Sequence, residues 1–324
     1  MKKQPFLTLS AVLSILLLLC LAAIFHLLGG VERLSSYLEK QRQLVEDKHL
    51  SVEEVTITVP GLKDEYTFLY ISDTHVVTTS NSDTSDVNTY ATSRLPMFVN
   101  REGMASARQF SGWIDLANDR QVDALLMGGD IIDCPSDSNL SFLSEQLSRL
   151  KTPYLYTLGN HDWTLPWSYL NDHARDCYRP LFAPYMDKNP AFHVLRLEGL
   201  TIAAIDNSSD QIDPAVLEPL SALLSEGTPV ILLLHVPLYT EDLARKATEV
   251  WGNPIVLGDG GISPNETSAA FLEMIYAEHS PVVAVLGGHL HFGAQTILPN
   301  GILQIVADGG YKGNGLMIHV TSEN

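Results

Sequence analysis

The order of elements predicts an α/β domain built on mixed sheets. Apolar, β-rich runs alternate with helical segments from Tyr66 to Leu286, and three short strands then close the chain. Five of the apolar runs end in clusters of Asp, Asn and His, at the strand ends where an α/β protein gathers its functional side chains. Apolar residues make up 45% of the 324, ample for a packed core, and neither an internal repeat nor a second linker interrupts the pattern.

The amino terminus stands apart. Lys2 and Lys3 precede an uncharged run from Phe6 to Leu28, which would span about 34 Å as a helix and so cross a bilayer core. A cleaved secretory signal would have a shorter apolar core and small residues before the cut, and no A-x-A-like site ends this run. Residues 1–30 are therefore expected to be a retained transmembrane anchor, and residues 31–50, with Val31, Leu34, Leu38 and Val45 at near-heptad spacing, a helical stalk. Basic residues lie on both sides of the run. The short basic tail favours a single-pass protein with its domain, residues 51–324, outside the cytoplasm.

Taken in order, Val55–Val59 and Tyr66–Ile71 read as strands around the Pro60-Gly61 turn. Residues 76–101 are rich in Ser, Thr, Asn and Asp and read as a flexible surface loop or, starting right after His75, a lid. Arg94, Arg101 and Arg108, which follow its most polar stretch, are expected either to be solvated or to reach a substrate anion. Glu102–Gln121 and Asn139–Leu150 read as helices, the second capped by Asn139, with strands at Asp123–Met127 and Pro153–Leu158. Residues 163–190 read as irregular and aromatic, with Trp163, Trp167, Tyr169 and Tyr178. Phe192–Leu197 and Thr201–Ile205 read as a hairpin. Pro214–Leu224 is helical, Pro229–Leu234 a strand, Pro264–His279 a helix capped by Ser263, and Pro281–Leu286 a strand. Strands at Ala294–Leu298, Ile302–Val306 and Gly315–Val320 follow. The spacing leaves open whether Cys134 and Cys177 pair.

A net charge of −18 argues against nucleic acid as a partner, since phosphate backbones demand Lys and Arg. It would also repel any phosphate substrate unless bound cations reversed the sign locally. The strand ends supply what such cations need. They read Asp73-Thr74-His75, Gly129-Asp130-Ile131-Ile132-Asp133, Gly159-Asn160-His161-Asp162, His235 and Gly288-His289-Leu290-His291. Carboxylate, amide and imidazole donors without thiolates suit borderline divalent ions such as Mn, Fe or Zn, and exclude a Cys-rich structural zinc site. Asp73, His75, Asp130, Asn160, His235, His289 and His291 are too many ligands for one tetrahedral ion and enough for two sharing a carboxylate.

These motifs, in this order over residues 66–291, resemble the calcineurin-like metallophosphoesterase family, whose pattern is D-x-H, G-D-x-x-D, G-N-H-D/E, a lone His and G-H-x-H. The resemblance implies a four-layer sandwich of two mixed sheets flanked by helices. It implies that Asp73, His75 and His291 hold one ion, that Asn160, His235 and His289 hold another, and that Asp130 bridges them. It assigns His161 to the phosphoryl group or the leaving oxygen, with Asp162 orienting its ring. The implied reaction is hydrolysis of a phosphomonoester or phosphodiester by a hydroxide held between two ions. The class-level alternative is a metal-bearing scaffold without turnover, against which the non-ligand His161 speaks.

Departures narrow the resemblance. Asp133 stands where purple acid phosphatases have a metal-binding Tyr. Cys134-Pro135 stands where Ser/Thr protein phosphatases have Arg-Gly, and His75 is not followed by Gly. The expectation is a bacterial-type, membrane-anchored phosphoesterase whose substrate is lipid-linked or a nucleotide. Asp206, Tyr239 and the aromatic residues of 163–190 are further candidates for lining the site.

Overall fold

The computed structural model describes residues 50–165 and 170–322, together with Ala23. Apart from Ala23 and Leu50, the expected anchor and stalk lie outside the described residues, as do Trp167 and Tyr169. Among the described residues no helix is long and apolar enough to cross a membrane.

Eleven strands among the described residues form two sheets. The first holds β1 (Ser51–Val59), β2 (Tyr66–Ile71), β3 (Ala124–Met127), β4 (Tyr154–Tyr156) and β11 (Asn314–Ser322), in the order β1-β11-β2-β3-β4. The second holds β5 (Phe192–Leu197), β6 (Leu200–Ile205), β7 (Val230–Leu233), β8 (Val282–Gly287), β9 (Ala294–Ile297) and β10 (Leu303–Val306), in the order β5-β6-β7-β8-β10-β9. Both are mixed: β2, β3 and β4 run parallel, as do β6, β7, β8 and β10, while β11 on β2, β5 on β6 and β9 on β10 are antiparallel. Parallel strands are covered on both faces, which explains why β3 and β7 are continuously apolar rather than alternating.

The core lies between the sheets. Phe68, Tyr70 and Leu126 from the first meet Ile202, Leu233 and Leu286 from the second. On the outer face of the first sheet pack α2 (Ser106–Arg120) and α3 (Asp137–Arg149), through Trp113, Ile114 and Leu143. On the outer face of the second pack α5 (Leu217–Ser225) and α7 (Glu266–Tyr276), through Leu220, Leu223, Phe271 and Ile275. Helix, sheet, sheet and helix make the four layers expected.

The differences from expectation are local. Residues 76–101 are not a bare loop: they contain α1 (Ser85–Arg94), and Val77, Ala91 and Phe98 are buried together. Two further helices had no forecast, α4 (Asp172–Tyr178) and α6 (Glu241–Trp251). The caps also move. Ser136, not Asn139, accepts the first-turn N–H of α3, and Asn265, not Ser263, caps α7. Asn139 instead accepts the Thr78 N–H at 2.8 Å, tying the start of the 76–101 segment to α3. Cys134 and Cys177 are both free thiols, the first buried and the second exposed.

Candidate metal centre

The loops that leave β2, β3, β4, β7 and β8 converge at one end of the sandwich. They are built to hold their side chains in unusual directions. Asp73, His75, Asp130, His289 and His291 all have positive φ, at 53°, 41°, 51°, 68° and 55°. Left-handed backbone is uncommon for such residues and costs free energy, so a cluster of five implies a packed surrounding that enforces it. Close backbone approach enforces part of it. A Cβ on Gly159 would come within 2.2 Å of the Asp130 nitrogen, and one on Gly288 within 1.9 Å of Ser72 Oγ.

Side chains from these turns meet as three groups of potential ligand atoms: His75, Asp133 and His161 make up one, and the other two share Asp130. Of the two that share it, Asp73, His75, Asp130 and His291 form the first, and Asp130, His235 and His289 the second, with the atoms of each group within 4.8 Å of one another. In the first group, His75 Nε2 faces His291 Nε2 at 3.0 Å and Asp130 Oδ2 at 3.7 Å, and His291 Nε2 lies 3.3 Å from Asp73 Oδ1. In the second, His235 Nε2 lies 3.4 Å from Asp130 Oδ2 and 3.2 Å from His289 Nδ1. Asn160 is buried between Gly159, which packs on Asp130, and His161, whose N–H donates to Asp130 Oδ1 at 2.7 Å.

Outer partners fix the ligands. His235 Nδ1 donates to the Gly128 carbonyl at 2.8 Å, which leaves Nε2 as the ligand atom. Asp73 accepts from Ser72 Oγ at 2.6 Å and from the His289 N–H at 2.9 Å.

The charge balance calls for a cation. Asp73 and Asp130 are buried carboxylates, and buried charges need compensation. Burial lowers His75, and burial with the neighbouring His235 lowers His289 to about 3, so both rings are neutral and offer lone pairs. His235 goes the other way. Burial opposes its charge, yet Asp130 and Asp73 raise it to about 10, showing where the field demands positive charge. The donor set is all nitrogen and oxygen, and the Nε2 atoms of His75 and His291 converge at 3.0 Å. These residues fit divalent metals.

His161 sits beside this cluster, its ring 4.7 Å from that of His75. Its Nδ1 faces both the carboxylate of Asp133, with Oδ1 at 3.2 Å, and the Asp133 backbone carbonyl at 3.4 Å. Asp133, not Asp162, therefore orients the ring. Asp162 is fully buried and accepts the N–H groups of Gly159 (2.7 Å), Asp130 (2.9 Å) and Ile132 (3.0 Å). Its work is to clamp two loops together. Asp133 and its partner Arg94, by contrast, drew no such role from the sequence; the D-x-x-D spacing alone does not say which carboxylate faces the ring.

The remaining candidates lie elsewhere or in packing roles. Asp206 pairs with Arg179 at 2.8 Å, and Trp163 is buried with Nε1 donating to Ser208 Oγ at 2.7 Å. Tyr239 packs against the Gly258–Gly260 turn. Around the imidazoles stand aromatic rings the motifs did not flag: Phe98 stacks on His75 at 4.3 Å, and Trp251 and Tyr311 each lie 5.3 Å from His291.

By structure, the chain is similar to a dimetal phosphatase from Danio rerio, at 14% identity over 76% of this chain and 88% of that one, with a TM-score of 0.49. It is similar to a purple acid phosphatase from yellow lupin, Lupinus luteus, at 14% identity over 78% of this chain and 46% of that one, TM-score 0.49. A third similarity is to a phosphopantetheinyl hydrolase from Mycobacterium tuberculosis, at 15% identity over 74% and 88%, TM-score 0.38. No match to the sequence is found among curated proteins. The model of the calcineurin-like phosphoesterase family matches residues 66–293, a span that opens on β2 and closes just past His291 and so takes in every ligand-bearing turn. With that span matched over more than half of its length, the chain belongs to the calcineurin-like phosphoesterase family.

Proposed function

We propose that this protein hydrolyses phosphoric esters with two divalent ions held by its seven-residue ligand set. The observation that carries the reading is Asp130, whose carboxylate is common to two of the ligand groups. Asp73, His75 and His291 would complete one site, and Asn160, His235 and His289 the other. Such ions, when bound, supply an activated water and neutralise charge on the phosphoryl oxygens.

The chain's own residues supply the rest. His161 is partly open to solvent, and Asp133 holds its Nδ1. Nε2 is then the nitrogen with which the ring serves a bound ester. Burial lowers the basicity of His161, but Asp130 and Asp133 outweigh it and raise the ring to about 9. In the reaction the ring would donate a proton to a phosphoryl or leaving oxygen. A ring with this placement would be superfluous in a pure metal-binding scaffold.

The apolar run from Phe6 to Leu28 supports a bilayer anchor, with a bacterial-type domain held outside the cytoplasm. A lipid-linked or nucleotide phosphoester is the matching substrate. The test is turnover by the full chain in detergent, loaded with Mn, Fe or Zn, on an aryl phosphomonoester and the matching diester. Chelator-sensitive cleavage of either supports the reading. Two ions bound per chain with no cleavage of aryl, lipid or nucleotide esters would overturn it.

A further inference from the structure

The segment that reads as a polar loop is folded against the centre, and one side chain ties it there. Arg94, the last residue of α1, reaches Asp133 with two hydrogen bonds: Nε donates to Oδ2 at 2.8 Å and Nη2 to Oδ1 at 2.9 Å. The guanidinium is itself fixed from its faces, 4.8 Å from the Phe98 ring and 5.6 Å from the Tyr90 ring. Phe98 in turn stacks on His75 with the rings 4° from parallel.

What Arg94 grips is the carboxylate that serves two working imidazoles. Asp133 Oδ1 faces His75 Nδ1 at 3.2 Å and His161 Nδ1 at 3.2 Å, the latter nitrogen also lying 3.4 Å from the Asp133 backbone carbonyl. One oxygen meets both rings only while the carboxylate plane stays in one orientation. A single contact would let that plane turn about Cβ–Cγ. A two-pronged planar donor does not, because it engages both oxygens at once.

We propose that Arg94 is a positioning residue for hydrolysis: by locking the Asp133 carboxylate in plane, it sets the angle at which His161 meets the ester. This rests on the phosphoesterase reading given above. Lys cannot replace it, since a point charge grips one oxygen and leaves the rotation free. The polar segment 76–101 is then part of the working site, a wall that carries the arginine rather than a cover that comes and goes.

The test compares wild type with Arg94→Ala and Arg94→Lys, with Thr89→Ala on the same helix as control. An alkyl phosphomonoester leaves poorly and depends on His161, whereas a nitrophenyl ester leaves easily. For both arginine variants, kcat on the alkyl ester is expected to fall about 10–100-fold, with KM within about twofold and the nitrophenyl rate far less affected. Added guanidinium should recover part of the loss in Arg94→Ala alone. Bound metal should stay near that of Thr89→Ala, while the melting temperature falls in Arg94→Ala, which leaves the buried Asp133 carboxylate without its partner, and less in Arg94→Lys. A readout independent of turnover is the downfield proton signal of the His161 Nδ1–H, identified by its loss in His161→Asn. It should broaden or vanish in both arginine variants.

Equal losses on the two esters, losses that follow metal content, or an unchanged His161 signal would each overturn the proposal. A wild type that cleaves no ester overturns the hydrolase reading alone, and the proton signal still decides whether Arg94 positions the ring.

Discussion

Asp162 Oδ2 accepts the backbone N–H of Asp130 at 2.9 Å, so the residue after His161 holds the backbone of the carboxylate common to two candidate metal-binding groups. The same carboxylate takes the N–H groups of Gly159 and Ile132. Asp162→Asn would replace one acceptor oxygen with a donor and set it against a buried N–H. The expected cost is about 3 kcal/mol of stability, from lost charge-assisted bonds and an unsatisfied amide. Thermal or urea unfolding checks it. Loss of turnover with unchanged stability and metal content would instead mean that Asp162 acts on the ring after all.

Asp130→Asn tests the shared ligand. An outer partner of a ligand costs about 10–100-fold in affinity or activity when removed, and a carboxylate serving both groups should cost at least that. Turnover should fall by about 100-fold or more, and bound metal, measured by elemental analysis after dialysis, should fall at both sites. Near-wild-type turnover with full metal content would sink the assignment.

His161→Gln separates a working histidine from a ligand. The side chain lies outside the two groups that share Asp130, although it forms a third with His75 and Asp133, so metal content at the shared pair should hold. Turnover should drop about 100- to 10,000-fold, the range for loss of a positioned general acid. A parallel fall in metal content would make His161 a ligand instead.

Most of this centre was legible because each ligand follows a buried apolar run, and strand ends are where such chains gather polar groups. The roles of the two neighbouring aspartates were not. Asp162 is adjacent to His161 in sequence, but its turn folds it under the loop, whereas Asp133 arrives from the β3 loop. Helix α1 was illegible for a different reason. Ala91 is its only buried residue, so no apolar period marks it, and its place depends on Arg94 and on Phe98 beyond its end. Helix α6 did carry a pattern in Leu243, Ala244 and Ala247, short enough to be lost among polar neighbours.

Gly159→Ala asks whether close backbone approach builds the centre. Its Cβ would sit 2.2 Å from the Asp130 nitrogen and equally close to Asp130 Oδ1, so the loop carrying the shared carboxylate must move. Overpacking of this kind costs about 1–3 kcal/mol. More telling is the expected weakening of metal binding although no ligand has been changed. Titration calorimetry with Mn or Zn, set beside a control such as Gly227→Ala, where the added carbon meets nothing, separates a general loss of stability from a displaced ligand. If Gly159→Ala binds metal as the wild type does, the turn is not what places Asp130.

The two free thiols give a prediction with a clear sign. Burial, with Asp133 adding, raises the Cys134 thiol to about 12, so the reactive thiolate is scarce at any ordinary pH. Cys177 is exposed on α4. At pH 8 iodoacetamide should label Cys177 in the native protein and leave Cys134 unlabelled until the chain unfolds, as read by peptide mass spectrometry. The proton is favoured by the fold, so Cys134 stabilises fully below the unfolded thiol's range, near pH 9. Its contribution then declines as pH rises toward 12, by about 1.4 kcal/mol per unit. Cys134→Ser should flatten the part of the alkaline loss that belongs to this thiol. Labelling of both cysteines at equal rates in the folded protein would show that the β3 loop, with Asp133 beside Cys134, opens readily, and the fixed placement of the His161 ring would fall with it.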